Sequence, residues 1–300
     1  MAMAKKQEMG FMEFCEKYST EEACREQMRR QRWPNGFICP RCGCVEYYAI
    51  PTRNKYQCKA CHYQASLTSE TVMHRSHLPL KTWFWAIYLV ASDKRGYSAA
   101  QLSRQLKLPY STAWFLLHRI RDAMGQRDAE YLLSGLVEMD DTYFGGPTSG
   151  GKRGRGTKKT KAMVAVSKDS KGKPQFIKMR VVPNLRGKTI GSFAHDNIQP
   201  GSTIQSDGLL SYRKPLADNY THQYEIYDPD TGLLHWLHTI IGNAKASVNG
   251  TFHGLGGKHL QHYLDEFCFR FNRRYFHGNL FMRLAHAVVR AKPCPLSALS

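Results

Sequence analysis

A chain of 300 residues with a formal net charge of +19 is too long for one minimal domain and suits two or three. Its 42% hydrophobic and 12% aromatic content excludes a chain that is disordered by composition. The 43 Lys and Arg against 24 Asp and Glu repel one another unless they face something negative; nucleic acid fits that need ahead of an acidic membrane surface.

Residues 1–36 read as a polar helical segment. Ser19 and Glu22 have capping-box spacing, and the helix that follows should stop before Pro34. With Lys5, Lys6, Glu8 and Glu13, the first residues lack the apolar core of a secretory signal. No run of about eighteen apolar residues occurs anywhere, which argues against a membrane-spanning helix. The most apolar piece, 83–92, is broken by Asp93, Lys94 and Arg95. A cytoplasmic, nucleoid-associated protein with mostly reduced thiols is therefore expected.

Residues 37–67 are short, Cys-rich and β-like, the pattern of a zinc ribbon. Cys39-Pro-Arg-Cys42 and Cys58-Lys-Ala-Cys61 are two tight knuckles separated by fifteen residues. Each knuckle can aim two thiolates at one ion, and two complete a tetrahedral four-sulfur shell. Such a shell has no open position, so its Zn²⁺ is structural and replaces a core that so short a segment cannot build. Cys44 and His62 are rival ligands beside the knuckles. Cys15, Cys24, Cys268 and Cys294 read as small hydrophobes. Arg41, Arg53, Lys55 and Lys59 make either a phosphate-facing surface or a solvated one.

Residues 78–128 read as helical, with Pro79 near a start and Pro109 at an interruption. Two stretches joined at "KLPYS" form a helix-turn-helix pattern, Ser98 capping the first and Ser111 the second. Leu102, Leu106, Trp114, Leu117 and Ile120 supply an inner face. His118, Arg119 and Arg121 are candidates for phosphate contact.

Residues 133–280 alternate strands and helices. "LVEMDDTYF", "AMVAVSKD", "FIKMRVV", "STIQSD" and "HQYEIY" read as strands. "KTIGSFAHDNI", "GLLSYRKPLAD", 235–249 and 258–274 read as helices. That order predicts a mixed α/β sheet of ribonuclease-H-like type, so the whole chain is α+β and multidomain. A Gly-rich loop after the first strand carries Lys152, Arg153, Arg155, Lys158, Lys159 and Lys161. Residues 281–300 read as a C-terminal tail.

Asp140 with Asp141 is expected to end one strand, and Asp207 another. Carboxylates at the ends of adjacent strands can share a divalent cation; Mg²⁺ or Mn²⁺ suits them. Acids that merely cap turns are the plain alternative. Lys245, Lys258, Arg270, Arg273 and Arg274 could hold a DNA backbone, or could form a solvated helix face.

"VEMDDTYFGG", "SDGLLSY", "LHTIIGNAKASVNGTFHGLGGKHLQHYLDEFCFRFNRR", "RWPNGFICPRCG" and "YQCKACHYQASLTSETVMHRSHLPLKTWFWAIY" resemble the blocks of the ISXO-like (fifteen ninety-five) insertion-sequence transposases. The resemblance runs from about residue 11 to 280. It implies a DDE-type catalytic domain in which Asp140 matches the first aspartate and Asp207 the second. Asp141 sits where relatives often carry Glu. Counting back from "GTFH", the usual third glutamate falls at His238. Relatives are known with Asn or His in place of that Glu, usually followed by a Lys, so the resemblance implies a triad of Asp140, Asp207 and His238 with Lys245 as basic companion. At 3.6 residues per turn His238 and Lys245 share a helix face, while Asn243 points elsewhere and is a secondary candidate. Glu266 is a substitute carboxylate, or a structural ion-pair partner.

The reading that follows is a transposase that binds terminal inverted repeats and target DNA as a homo-oligomer, with metal-dependent strand cleavage and strand transfer. Its rivals are a catalytically inactive, transposase-derived DNA-binding protein and a zinc-ribbon transcription factor.

Overall fold

The computed structural model describes residues 9–146, 157–225, 234–252, 255–275 and 280–294. The chain divides into two compact units, one of residues 1–127 with 276–300 and one of residues 128–275.

The first unit begins with α1 (Phe11–Lys17) and α2 (Glu21–Arg32). Thr20, not Ser19, caps α2: its extended backbone lets the hydroxyl accept the Ala23 N–H at 3.2 Å. Ser19 stands one residue too early and its hydroxyl donates back to Glu16 O at 3.2 Å. Glu21 then serves a different helix. Its carboxylate accepts the N–H groups of Leu80 and Lys81 at 2.8 and 2.9 Å. These open α3 (Leu80–Ser92), whose own N-cap, Pro79, has no acceptor to offer.

Residues 281–300, expected as a tail, include a core helix, α10 (Leu280–Arg290). Phe281, Leu284, Ala285 and Val288 recur at helical spacing and are buried. The Phe281 ring meets those of Phe14 and Tyr18, each at 5.4 Å between centroids.

Ser98 caps α4 (Ala99–Leu106) as expected, accepting Gln101 N–H at 3.2 Å. Lys107 ends that helix in the left-handed region at φ 53°. Helix α5 (Tyr110–Ala129) starts directly after Pro109, so Ser111 lies inside it and caps nothing. His118 and Arg121 do not face outward either; they are 0% and 2% exposed. They follow Leu117 on the apolar stripe of α5, and Arg121 Nη2 donates to Tyr97 O at 3.1 Å. Among the described residues no helix is long and apolar enough to cross a membrane.

The second unit is a mixed sheet between helices. Strands β1 to β3 belong to the ribbon (Tyr47–Ile50, Lys55–Cys58, Gln64–Ser66). The larger sheet then uses β4 (Leu136–Phe144), β5 (Thr160–Lys168), β6 (Pro174–Val182), β7 (Thr203–Asp207) and β8 (Thr221–Glu225). Among the described residues their spatial order is β6-β5-β4-β7-β8. The first three pair antiparallel, while β7 joins β4 and β8 joins β7 in parallel. Each parallel connection carries a helix, α6 (Gly187–Asn197) before β7 and α7 (Leu210–Ala217) before β8. These two pack on one face with Met139, Met163 and Ile204. Helices α8 (His235–Thr251) and α9 (Leu260–Asn272) cover the other face with Val164, Val166 and Ile177. The apolar run 162–166 in β5 is buried throughout because both faces are covered. Phe193, 1% exposed on α6, is central to the first core. Phe193→Ala is expected to destabilise this unit by about 3–5 kcal/mol, measured by urea denaturation.

Three arginines proposed from sequence for DNA contact are used up inside the fold. Arg270 pairs with Glu266 at 2.8 Å. Arg273 pairs with buried Asp128 at 2.7 Å and lies over the Phe269 ring. Arg274 lies over Phe271 and donates to Gln175 O at 3.0 Å. Arginine stacks well on aromatic faces, and α9 supplies those faces at Phe269 and Phe271. Lys258 remains exposed.

Candidate functional site: a cysteine cluster and a carboxylate face

The ribbon strands are antiparallel, in the order β1-β2-β3. Cys39, Cys42, Cys58 and Cys61 bring their sulfurs within 4.8 Å of one another. Each knuckle is closed by a backbone N–H: Gly43 to Cys39 O at 2.9 Å and His62 to Cys58 O at 3.1 Å. Gly43 and His62 occupy equivalent left-handed positions, at φ 75° and 56°. His62 is thus a turn residue outside the cluster, and Cys44 turns away to Glu46 O at 3.8 Å. The backbone N–H groups of Cys61 and Ala60 lower the Cys58 pKa, while the neighbouring sulfurs raise that of Cys42, so the four thiols share their protons as one group. Trp33, Phe37, Tyr47 and Tyr56 pack beneath with centroids 4.9–5.3 Å apart. These few rings and the cluster stand in for a core. Purified protein is expected to carry about one zinc per chain. Cys58→Ser should lose it, with collapse of the near-ultraviolet signal from Tyr47 and Tyr56, because structural zinc contributes about 10 kcal/mol or more to such folds.

The second candidate site lies on the α8/α9 face of the larger sheet. Alternation along β4 sends Val137 and Met139 to one face, Glu138 and Asp140 to the other. Asp141 follows the first set, so it lies across the sheet from Asp140. Asp140 is not at a strand end, as sequence suggested; β4 continues to Phe144, paired with β5. What ends is its other ladder. The β4–β7 pairing stops at Glu138↔Gln205, and Asp140 and Asp207 each lie two residues beyond. Asp207 does end β7.

Helix α8 brings His238 to this place. His238 Nε2 is 3.2 Å from Asp140 Oδ2, and Asp140 Oδ1 accepts the Asp141 N–H at 2.7 Å. Asp207 Oδ1 accepts the Leu209 N–H at 3.3 Å. The hydrogen bond to Asp140 raises the His238 pKa against the effect of burial, and the charges of Asp140, Glu138 and Asp207 add to the rise. Two turns on, Lys245 is half-buried. Burial, then the neighbouring Lys159, lowers its pKa, and Asp140 opposes them. Asn243 is exposed. Glu266 is bound to Arg270, the structural alternative. Among the described residues, the four cysteines are the one group of three or more possible metal ligands gathered closely, within 4.8 Å of one another; Asp207 does not join Asp140 and His238 in such a group. Lys152, Arg153 and Arg155 lie outside the described residues.

One cluster escaped the sequence reading. Glu138, 3% exposed, pairs with Lys168 Nζ at 2.8 Å, and Lys168 also donates to Gln205 Oε1 at 3.0 Å. The same carboxylate accepts the Leu237 N–H of α8 at 3.0 Å. Its position two before Asp140 on a strand was the available signal, because period 2 puts both on one face.

The chain thus carries a cysteine-built ribbon ahead of a mixed α/β unit with acids grouped on one sheet face. Residues 132–272 match the model described as ISXO2-like transposase domain, and residues 19–64 match the transposase zinc-ribbon domain of the same group. The two matches cover more than half of the chain, which belongs to the ISXO2-like insertion-sequence transposases. An uncharacterized protein in transposable element ISH50 of Halobacterium salinarum is 26% identical over 229 residues, 70% of this chain and 75% of that one. Solved structures with weak overlap include the Mos1 strand transfer complex, at TM-score 0.27 and 14% identity, covering 68% of this chain and 76% of that one. A pre-cleavage Mos1 transpososome overlaps at TM-score 0.27 and 13% identity, covering 67% and 76%.

Proposed function

We propose that the protein binds the terminal inverted repeats of its element and catalyses metal-dependent strand cleavage followed by strand transfer into target DNA. The observation that carries this reading is the meeting of His238 with Asp140 on the sheet face that also bears Asp207. An antiparallel three-strand meander followed by two parallel strands, with helices on both faces, supports a ribonuclease-H-like catalytic domain.

The donors suit Mg²⁺ or Mn²⁺: two carboxylates from neighbouring strands and one imidazole, a nitrogen ligand that favours Mn²⁺. Asp140, Asp207 and His238 would hold the ion, which would supply a more acidic water and neutralise charge on the leaving oxygen. The chain's own groups do the rest. The Asp141 N–H orients the Asp140 carboxylate. The charge of Lys159 acts against that of Lys245, and a phosphodiester bound near them would offset that repulsion. Hydrolysis at the element end leaves a 3′-hydroxyl, which exchanges into a target phosphodiester. No covalent bond to the protein is required. Joining two ends calls for a second subunit.

End recognition is assigned to the ribbon and to α4–α5 as a helix-turn-helix. The short α4, its left-handed stop at Lys107 and the immediate start of α5 support that motif. With His118 and Arg121 buried, the groups offered at the start of α5 are exposed Tyr110 and Ser111. An imidazole in place of a third carboxylate favours the second reading, a DNA-binding protein without cleavage. Incubating end-containing DNA with Mn²⁺ separates the two: both bind, and the proposed enzyme alone nicks.

A further inference from the structure

We infer that Glu138 is a positioning residue: it fixes the first turn of α8 to the sheet so that His238 is held against Asp140. The inference rests on the proposed function and deepens it.

Helix α8 starts without a cap of its own. Its N-cap residue is Leu234, in the left-handed region at φ 57°, with no side-chain acceptor. Left-handed backbone is costly for a leucine, and it is held here because the side chain is 2% exposed in the core under α8. The first-turn N–H groups still need acceptors. Glu138 Oε2 supplies one from the sheet, 3.0 Å from the Leu237 nitrogen. The residue so gripped immediately precedes His238. The anchor is itself braced, because Glu138 Oε1 pairs with Lys168, and Lys168 is tied to Gln205 on β7. Gln205 is two residues before Asp207, as Glu138 is two before Asp140. One network, buried at Glu138, therefore references α8, β4 and β7 to each other near the three proposed ligands. Both Glu138 oxygens are engaged, one by Lys168 and one by the helix backbone.

Two conservative variants separate reach from charge. Glu138→Gln keeps an oxygen at the same reach and loses the charge. Glu138→Asp keeps the charge and withdraws the oxygen by about 1.5 Å, one carbon–carbon bond. End-DNA binding without metal and thermal midpoints are measured beside Mn²⁺-dependent cleavage. We expect E138Q to cleave within about fivefold of wild type. E138D should lose about 10–100-fold, the usual effect of disturbing a group that orients a metal ligand, and need more Mn²⁺ for half-maximal rate, with DNA binding unchanged. An E138Q protein that binds DNA but cleaves no better than E138D would overturn the inference, since the charge would then be what matters. Wild-type rates in both would overturn it too. If wild-type protein does not cleave, the proposed function fails, and Glu138 is judged by crystal structures instead. The His238–Asp140 contact should persist in E138Q and open in E138D; an unmoved imidazole in E138D contradicts the inference.

Discussion

Asp140→Ala should lower Mn²⁺-dependent cleavage of end-containing DNA by about a thousandfold or more while changing end binding less than about threefold. The size follows from the ion that the side chain is proposed to hold. A divalent ion contributes several kcal/mol of charge stabilisation at a phosphodiester, and about 4 kcal/mol is three decades of rate. Asp140 also carries the direct contact to His238, at 3.2 Å, so its loss frees the imidazole as well. Asp207→Ala should fall to a similar floor. The double variant should be no worse than either single one, because residues that act as a unit are not additive. Gel-resolved nicking and a parallel binding titration check all three. Binding that collapsed together with cleavage would instead make Asp140 a structural residue.

The second large effect concerns folding. Asp128→Ala should destabilise the second unit by about 3–5 kcal/mol, a large share of the 5–15 kcal/mol that holds a typical domain. Asp128 is 5% exposed and serves several partners. Oδ1 takes the Arg273 guanidinium at 2.7 Å, and Oδ2 accepts from Asn272 Nδ2 at 2.9 Å. Its backbone carbonyl accepts from Lys178 Nζ, which lies 4.1 Å over the Tyr131 ring. Asn272 in turn bonds the Ile177 N–H and carbonyl, at 2.7 and 3.1 Å, tying α9 to β6. Removing the carboxylate leaves Arg273 charged in a site where it is 8% exposed. Urea denaturation measures the loss, and Asp128→Asn should lose less because hydrogen-bond acceptance survives. Arg273→Ala should likewise cost stability and leave the salt dependence of DNA binding unchanged, the reverse of what a phosphate contact would do.

Features set by short-range rules were legible in the sequence. Two CxxC knuckles at ribbon spacing specify a metal shell locally, and the four sulfurs converge as that spacing requires. Strands and helices with strong periodicity fell where the pattern put them, "LVEMDDTYF" being β4 itself. Features set by packing were not. His118 and Arg121 look like surface cations on α5, but a helix in a packed unit buries whatever falls on its inner stripe. Arg273 gave no hint of its partner, Asp128, which is distant in sequence. Nothing local in the sequence says which of the two ladders at Asp140 stops. The expected tail holds helix α10, although the spacing of Phe281, Leu284, Ala285 and Val288 is readable in the sequence. His238 came from resemblance alone; no pattern within the chain marks one histidine among thirteen. Glu138 was within reach of a period-2 argument and was hidden by its two more conspicuous neighbours.

Asp140, Asp207 and His238 are proposed to grip one divalent ion together. Crystals of the protein soaked in Mn²⁺ test this most directly, through anomalous scattering at the manganese edge. A peak bonded to Asp140 and Asp207, with His238 turned from the carboxylate to the metal, is the predicted result. Manganese bound elsewhere, with His238 still hydrogen-bonded to Asp140 and Asp207 empty-handed, would contradict it.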